Sequence, residues 1–193
     1  MPRLEYFFDY VSPFAYLADT QLPALVERTG AEIVYRPFFL GGVMKASKNS
    51  PPITVPNKGA YMMADLRRWS ARYGVELNPS PHFPVNTLSA MRAAVAALGE
   101  PAFAEFHRAM FRGVWVDGKN LADEAVLRSE IDRAGLAGAE ILARAATQEI
   151  KDILRRNSEE AVERGAFGAP TFFVDTEMFW GNDRLEFVEA ALR

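Results

Sequence analysis

The sequence predicts an α/β protein in which both ends of the chain build one sheet and a long helical segment lies between them. Aromatic-rich strand patterns occupy residues 4–10 and 32–35, and two further short strands are expected at residues 171–175 and 178–180. Every periodic pattern in residues 58–165 is helical. Because the strands at the two ends must pair with each other, the helical segment is an insertion and not a separate domain.

The first strand, helix and strand are expected to form a parallel pair with a right-handed crossover. Ser12 is a favoured N-cap, Pro13 suits the first helical position and Gly30 suits the end of the helix. Residues 38–57 are predicted to be a loop with short helical pieces at most. Further helices are predicted at residues 59–73, 87–98, 100–112, 123–134, 139–145, 148–163 and 185–192, with a turn at Thr176-Glu177 between the last two strands.

This order of elements is that of the thioredoxin fold. Strand, helix and strand come first, and strand, strand and helix come last. We therefore assign residues 1–40 and 166–193 to a thioredoxin-like domain and residues 41–165 to an inserted all-helical domain.

Composition excludes several classes of protein. The chain has 193 residues, of which 49% are hydrophobic, and this fraction is too high for a disordered protein. The formal net charge is −3 without a run of Lys or Arg, so we expect no nucleic-acid partner. No apolar stretch approaches the roughly 20 residues that span a bilayer, and no signal sequence precedes the first strand pattern. We expect no membrane association and a cytoplasmic location.

The absence of cysteine restricts the chemistry. It removes disulfides and cysteine-based zinc sites, and any sulfur chemistry must use the sulfur of a ligand. His82 lies in a proline-rich stretch, and His107 lies at helical spacing between Phe103 and Phe111. We expect the first in a surface turn and the second packed on a helix, and we predict no metal site.

Ser12 is the main candidate for catalysis. The first turn of a helix has unpaired backbone N–H groups and partial positive charge, which lower the pKa of a thiol at that position. A serine hydroxyl there is able to donate a hydrogen bond to the thiolate of a bound ligand. The alternative is that Ser12 only caps its helix. A role as a nucleophile is disfavoured, because neither histidine is placed to act as its base.

Two later segments are candidates for ligand binding. If the Ala169-Pro170 bond is cis, the backbone of Ala169 is free to pair with a peptide-like ligand; the alternative is an ordinary trans proline at a strand start. In the turn before the last helix, the backbone amides of residues 180–184 could bind a ligand carboxylate, and Asp183 could pair with a ligand ammonium. Asp183 and Glu186 also match a capping box, and the two roles are compatible.

Weaker candidates are Asn49, Lys58 and Asn86. Lys58 could neutralise a ligand carboxylate, but most lysines are only solvated. A turn-prone loop accounts for Asn49 and helix capping for Asn86 without any ligand. Aromatic side chains and methionines could wall a substrate pocket, although core packing is the commoner role for each; these are Phe38, Phe39, Met44, Trp115 and Trp180.

Five stretches of the chain together resemble the 2-hydroxychromene-2-carboxylate isomerase and kappa-class glutathione transferase family. They are residues 8–14 (FDYVSPF), 36–45 (RPFFLGGVMK), 83–87 (FPVNT), 167–172 (FGAPTF) and 179–184 (FWGNDR). The resemblance runs nearly end to end. It implies a DsbA-like fold, usually dimeric, with glutathione in the cleft between the two domains.

By this resemblance Ser12 faces the glutathione sulfur, and Ala169, next to Pro170, pairs with the cysteinyl backbone. Asn182 and Asp183 hold the γ-glutamyl end. Asn49 is assigned to glutathione, and the positions assigned to the substrate are Lys45, Lys58 and Asn86. The loop that ends at Lys45 looks more like the transferase branch of the family.

The function predicted on this basis is glutathione-dependent cis–trans isomerisation of aromatic oxo-acids of the 2-hydroxychromene-2-carboxylate type. Two alternatives stay open. One is a kappa-class glutathione transferase that acts on small electrophiles. The other is a binding module with a thioredoxin fold and no redox activity. A dithiol oxidoreductase is excluded because the chain has no thiol.

Overall fold

The computed structural model describes residues 1–193 and contains a four-stranded sheet with helices packed around it. The strands are β1 (Arg3–Phe8), β2 (Glu32–Pro37), β3 (Thr171–Val174) and β4 (Glu177–Trp180). The helices are α1 (Pro13–Asp19), α2 (Leu22–Thr29), α3 (Leu40–Ala46), α4 (Pro56–Tyr73), α5 (Leu88–Ala97), α6 (Phe103–Trp115), α7 (Glu124–Arg133), α8 (Gly138–Ala145), α9 (Gln148–Glu163) and α10 (Leu185–Ala191), with short 3-10 helices at Pro52–Thr54 and Asn182–Arg184. None of the helices combines the length and apolar character needed to span a bilayer.

The sheet has the order β2-β1-β3-β4 and joins the two ends of the chain. β1 pairs with β2 in parallel and with β3 in antiparallel orientation, and β4 is an antiparallel edge strand. This confirms the predicted α/β class and the parallel first pair. Pairing of β1 with β3 places the turn after β1 beside the segment that leads into β3, and these two segments carry the main predicted site residues.

The first helix is divided, contrary to the prediction of one helix between Ser12 and Gly30. α1 ends at Asp19, and α2 begins at Leu22. Pro23 explains the break, because proline has no N–H and its ring clashes with the carbonyl one turn earlier in a continuous helix. Pro23 instead occupies the first turn of α2, where proline is tolerated.

The hairpin turn between β3 and β4 lies at Asp175-Thr176, one residue earlier than predicted. Asp175 has φ 52°, in the left-handed region. Aspartate tolerates this conformation better than most residues, which makes it the better turn residue of the pair.

The helices between β2 and β3 pack against the sheet and share its core. Buried side chains of the strands and of α4 to α9 belong to one continuous hydrophobic cluster. α9 contacts α3, α5 and β2. The proposed domain boundaries at residues 40 and 165 therefore stay a prediction about two units that share one hydrophobic core.

A network of four charged side chains fastens α9 to the sheet. Arg164 Nη2 lies 2.9 Å from Glu5 Oε1, and Arg36 Nη1 lies 3.6 Å from Glu5 Oε2. Both arginines also pair with Glu160. The Arg164 guanidinium lies 3.7 Å from the centre of the Phe173 ring on β3. These contacts hold the end of α9, and therefore the start of the segment that leads to β3, against β1.

The partly buried Tyr35 is expected to lower the stability of the fold at alkaline pH. Burial, followed by the charge of Asp19, raises the pKa of Tyr35 from 10.0 to about 12. The folded protein keeps a proton that the unfolded chain has lost, so this stabilisation is present below about pH 10 and is lost as the pH rises to about 12. We expect the Tyr35→Phe variant to lose less unfolding free energy than wild type between about pH 9 and about pH 11, measured by urea unfolding. Tyr61→Phe, at an exposed tyrosine, should follow wild type, and equal slopes for wild type and Tyr35→Phe would contradict the assignment.

Candidate functional site

A cleft of about 970 Å³ lies where the sheet meets the inserted helices. One wall is formed by the start of α1, the segment before β3 and the turn after β4. The facing wall is formed by α3, α4 and the segment before α5. Most of the predicted site residues meet in this cleft; they are Ser12, Asn49, Lys58, Asn86, Ala169, Asn182 and Asp183.

Ser12 both caps α1 and joins two distant parts of the chain. Its Oγ accepts a hydrogen bond from the Ala15 amide at 3.1 Å and donates one to the Ala169 carbonyl at 2.9 Å. Ser12 lines the cleft although only 4% of its surface is exposed. Ser12 therefore caps α1 and also lines the cleft, and a role for it beyond capping stays a prediction. The hydroxyl must rotate away from Ala169 before it can donate to a ligand.

The Phe14 amide, in the first turn of α1, has no hydrogen-bond partner in the protein. Phe14 also lines the cleft. The start of α1 therefore carries two donors among the residues that line the cleft, the Ser12 hydroxyl and the Phe14 amide. α1 has only seven residues, so these local donors, and not a long helix, supply the positive potential there.

The Ala169-Pro170 bond is cis, as is Phe83-Pro84. The Ala169 carbonyl accepts the Ser12 hydroxyl, whereas the Ala169 amide has no partner in the protein. Ala169 lines the cleft and Pro170 does not. The Pro170 carbonyl accepts the Gly181 amide at 3.0 Å, so Pro170 supports the turn after β4.

Positions 168 and 181 require glycine, because neighbouring side chains lie too close to the backbone there to leave room for a Cβ atom. A Cβ on Gly168 would lie 2.5 Å from Nε1 of Trp180, whose ring packs against Phe167. Gly181 has φ 107°, and a Cβ there would lie 2.5 Å from a carboxylate oxygen of Asp183. The two glycines let an indole and a carboxylate approach the backbone beside the cleft.

Asn182 and Asp183 lie in a 3-10 turn that continues directly into α10. The predicted capping box is wrong, because the N-cap of α10 is Arg184 and no side chain caps that helix. Asp183 instead pairs with Arg184 at 2.7 Å. This pairing leaves the Asp183 carboxylate at the cleft, about half exposed, without a role in the helix start.

Tyr73 at the end of α4 holds the Asn182 turn. Its hydroxyl donates to the Asn182 carbonyl at 3.0 Å, and Asn182 Nδ2 lies 3.4 Å from the same hydroxyl. This pair connects the inserted helices to the turn after β4. Tyr73 and Asn182 are 109 residues apart, and no local pattern marks the tyrosine.

Removal of the Tyr73 hydroxyl should weaken ligand binding at this turn. In Tyr73→Phe the backbone carbonyl and the side-chain amide of Asn182 lose their partner. Given the glutathione site at this turn that the family resemblance implies, we expect the affinity for glutathione to fall about fivefold, the equivalent of one hydrogen bond of about 1 kcal/mol. Calorimetric titration with glutathione measures this change. Tyr61→Phe removes a hydroxyl without a protein partner from the same helix and is the matched control. Equal affinities in both variants would mean that the Asn182 turn does not bind the ligand.

Asn49, Lys58 and Asn86 lie around the rim of the cleft. Asn49 donates to the Phe167 carbonyl at 2.9 Å, which holds its loop against the segment before β3. Asn86 Oδ1 accepts the Leu88 amide at 3.1 Å in the turn before α5, but the N-cap of α5 is Thr87 and not Asn86 as the capping alternative proposed; the side-chain amide of Asn86 makes no hydrogen bond in the protein. Lys58 makes no ion pair in the protein. Lys45 is exposed on α3 and does not line the cleft.

The apolar part of the cleft was only partly predicted. Phe39, Met44 and Trp180 line it, whereas Phe38 and Trp115 are buried in the core. Sequence reasoning missed further apolar side chains on the facing wall, and these are Met62, Trp69, Phe83 and Val85. Helical spacing places Met62 and Trp69 on the apolar face of α4, but it does not tell whether a residue on that face lies in the core or in the cleft.

His107 is buried, as expected, and does not reach the cleft. Its Nε2 lies 2.8 Å from Asp19 Oδ1 and its Nδ1 lies 3.2 Å from the Tyr10 hydroxyl. His82 is exposed. Neither ring contacts Ser12, so the arrangement of a nucleophilic serine with its base is not formed.

Comparison with known proteins agrees with this architecture. A family model described as a DSBA-like thioredoxin domain matches residues 3–193. The chain belongs to the DsbA-like thioredoxin family. The thioredoxin-like fold predicted from the order of strands is thereby confirmed.

Relatives within the family are enzymes. The chain is 36% identical over 191 residues to 2-hydroxychromene-2-carboxylate isomerase of Sphingobium xenophagum, with 98% of this chain and 97% of the relative covered. It is 30% identical over 200 residues to glutathione S-transferase kappa 1 of Rattus norvegicus, with 96% and 88% covered. A solved structure of a 2-hydroxychromene-2-carboxylate isomerase matches with a TM-score of 0.89 at 28% identity, covering 98% of this chain and 94% of that one. Both branches of the predicted family are therefore similar to this chain over nearly its whole length.

Proposed function

We propose that the protein is a glutathione-dependent isomerase of aromatic oxo-acids of the 2-hydroxychromene-2-carboxylate type. The observation that carries the proposal is the meeting of Ser12, Ala169 and the Asn182-Asp183 turn in one cleft. Identity over nearly the whole length to an isomerase of this name supports the choice of reaction.

The residues of the cleft fit glutathione, which has a peptide backbone, two carboxylates and an ammonium group. The unpaired Ala169 amide is a donor for a peptide carbonyl. The Asp183 carboxylate suits the ammonium group. Lys48, which forms no ion pair in the protein, suits a carboxylate. The cleft therefore offers a partner for each of the three kinds of polar group on this ligand.

When bound, glutathione supplies a thiolate whose addition to and elimination from the conjugated carbon of the substrate allows its C=C bond to rotate. The Ser12 hydroxyl, turned away from Ala169, donates a hydrogen bond toward the sulfur position, and the Phe14 amide is a second donor there. Hydrogen bonds to the charged form lower the pKa of a thiol and hold it ionised at neutral pH.

The facing wall serves the substrate. Its apolar side chains, including Trp69 and Phe83, provide a surface for an aromatic ring and exclude water. The free amide of Asn86 and the unpaired ammonium of Lys58 are placed to stabilise negative charge on the substrate carbonyl or carboxylate. Negative charge that increases toward the transition state is stabilised most by such fixed donors.

Glutathione transfer to small electrophiles is the second candidate, supported by the similarity to kappa-class transferases. The same residues serve the first step. In transfer a carbon–sulfur bond forms, a leaving group departs with the electron pair of its bond, and the conjugate is released. The two reactions therefore differ in whether glutathione is consumed.

An assay of the purified protein with and without glutathione distinguishes these functions. Isomerisation of 2-hydroxychromene-2-carboxylate that requires glutathione but leaves its concentration unchanged supports the isomerase. Loss of thiol during conjugation of 1-chloro-2,4-dinitrobenzene supports the transferase. If calorimetry detects no binding of glutathione and neither reaction occurs, the remaining alternative is the binding module without redox activity.

The proposal includes a homodimer in the cytoplasm, and its support is the resemblance to the family. Light scattering coupled to size exclusion tests the oligomeric state against the 21.5 kDa of one chain. Fractionation of cells that express the protein tests its location.

A further inference from the structure

A buried carboxylate lies at the end of β1, three residues before Ser12. Asp9 has no exposed surface. Burial raises the pKa of Asp9, while hydrogen bonds from Thr87 and from two backbone amides oppose this change. Burial of a carboxylate costs folding free energy unless hydrogen-bond donors pair with its oxygens, and every partner of the Asp9 side chain is such a donor.

The three donors come from three different parts of the chain. The Val11 amide donates to Asp9 Oδ1 at 3.0 Å, and the Thr87 hydroxyl donates to the same oxygen at 2.5 Å. The Leu40 amide donates to Asp9 Oδ2 at 2.8 Å. The Asp9 carbonyl also accepts the Ser12 amide at 3.0 Å. One residue therefore holds the turn that carries Ser12 and two segments that lie 31 and 78 residues away.

Each of the three donor residues lines the cleft. Val11 precedes Ser12 on the wall that we assign to the sulfur. Leu40 is the first residue of α3, and Thr87 directly precedes α5. Neither α3 nor α5 has a side-chain hydrogen bond from its own N-cap residue, which is Phe39 for α3 and Thr87 for α5. Asp9 thus connects the wall that carries Ser12 to the facing wall, at the start of α3 and in the segment before α5.

We propose that Asp9 is a positioning residue for the reaction, because its carboxylate fixes the Ser12 turn relative to the wall that holds the substrate. The inference rests on the proposed function. Asp9 itself does not line the cleft, so it acts through the segments that it holds. Small displacements between reacting groups lower rates strongly, whereas they change the binding of a ligand held by other contacts much less.

The predicted glutathione contacts depend little on Asp9. Pro170, next to Ala169, is held by the hydrogen bond from the Gly181 amide, and the Asn182 turn is held by Tyr73. Loss of the Asp9 contacts should therefore separate two measurable quantities. Turnover should fall, and the affinity for glutathione should stay nearly unchanged.

An amide cannot replace this carboxylate. In Asp9→Asn one of the two oxygens becomes an NH₂ group, which places a donor against the Leu40 amide or against the Val11 and Thr87 donors. At least one segment of the facing wall or the Ser12 turn then loses its fixed position. The variant has nearly the same size, so it changes hydrogen bonding more than packing.

The first test compares Asp9→Asn with wild type in the reaction that wild type catalyses, with 2-hydroxychromene-2-carboxylate or with 1-chloro-2,4-dinitrobenzene as the probe. We expect kcat at saturating glutathione to fall about tenfold or more, and the glutathione Kd from calorimetry to stay within about threefold. Folding of the variant is checked by circular dichroism. A folded variant with wild-type kcat would overturn the inference, as would a variant whose Kd weakens as much as its kcat falls.

The second test uses Thr87 and remains decisive if Asp9→Asn does not fold. Thr87→Val keeps the shape of the side chain and removes the hydroxyl that donates to Asp9, whereas Thr87→Ser keeps the hydroxyl. We expect kcat to fall about fivefold in Thr87→Val and to stay within about twofold of wild type in Thr87→Ser, with the glutathione Kd unchanged in both. Equal kcat values in the two variants would overturn the inference. A wild-type protein that neither binds glutathione nor turns over either probe would overturn the proposed function, and the inference with it.

Discussion

Replacement of Ser12 by alanine is expected to lower kcat/KM of the glutathione-dependent reaction about 100-fold near neutral pH, the usual cost of removing one donor to a developing or resident anion. The Ser12 hydroxyl is the side-chain donor that we assign to the glutathione sulfur, and the Ala169 carbonyl that it contacts cannot donate in its place. Loss of a hydrogen bond to the thiolate raises the pKa of the bound thiol. Activity of the variant should therefore recover as the pH rises, and a pH–rate profile measures this shift.

Ser12→Thr is the matched control, because threonine keeps the hydroxyl and also caps helices. It should be at least about tenfold more active than the alanine variant. Ser12→Ala should also lose about 1 kcal/mol of stability, because the Ala15 amide loses its cap. Wild-type rates in the alanine variant across the whole pH range would remove Ser12 from the mechanism.

Phe172→Ala is expected to cause the largest loss of stability, about 3–5 kcal/mol of unfolding free energy. Phe172 lies on β3 without exposed surface, opposite Tyr6 of β1, and the two rings stack with their centres 5.0 Å apart. The truncation leaves a cavity beside Tyr6 on the face of the sheet where β1 and β3 join the two ends of the chain. Urea unfolding followed by circular dichroism measures the change.

Phe187 provides a control of the same residue type, since 60% of its surface is exposed on α10. Phe187→Ala should change the unfolding free energy by less than about 0.5 kcal/mol. If both alanine variants lose the same stability, the contact between β1 and β3 is not the main support of the sheet.

Local features of the fold were predictable because they depend on neighbours in sequence. The Ser12 cap joins residues three positions apart, and α9 occupies the predicted residues 148–163. The division of the first helix at Pro23 was missed, although the ring of proline is a local cause, because the apolar spacing continues across it. The hairpin turn was one residue off, since both positions carry residues that are tolerated in turns.

The candidate site was predictable in part. The motifs around Ser12, Ala169 and Asp183 marked segments that do meet in the cleft. Lys45 carries the same charge as Lys58 and lies in a matching motif, but the direction of α3 places it away from the cleft. A charge in a motif does not specify which face of a helix it occupies in the packed protein.

The sequence by itself determined the class of the fold and the capped start of α1, and it marked some of the segments that line the cleft. These follow from side-chain chemistry and from hydrogen bonds within a few residues. Only the tertiary structure decided that Asp9 holds Leu40 and Thr87, and that Tyr73 holds Asn182. Such pairs are dozens of residues apart, and their geometry follows from the packing of the inserted helices on the sheet, which no local pattern encodes.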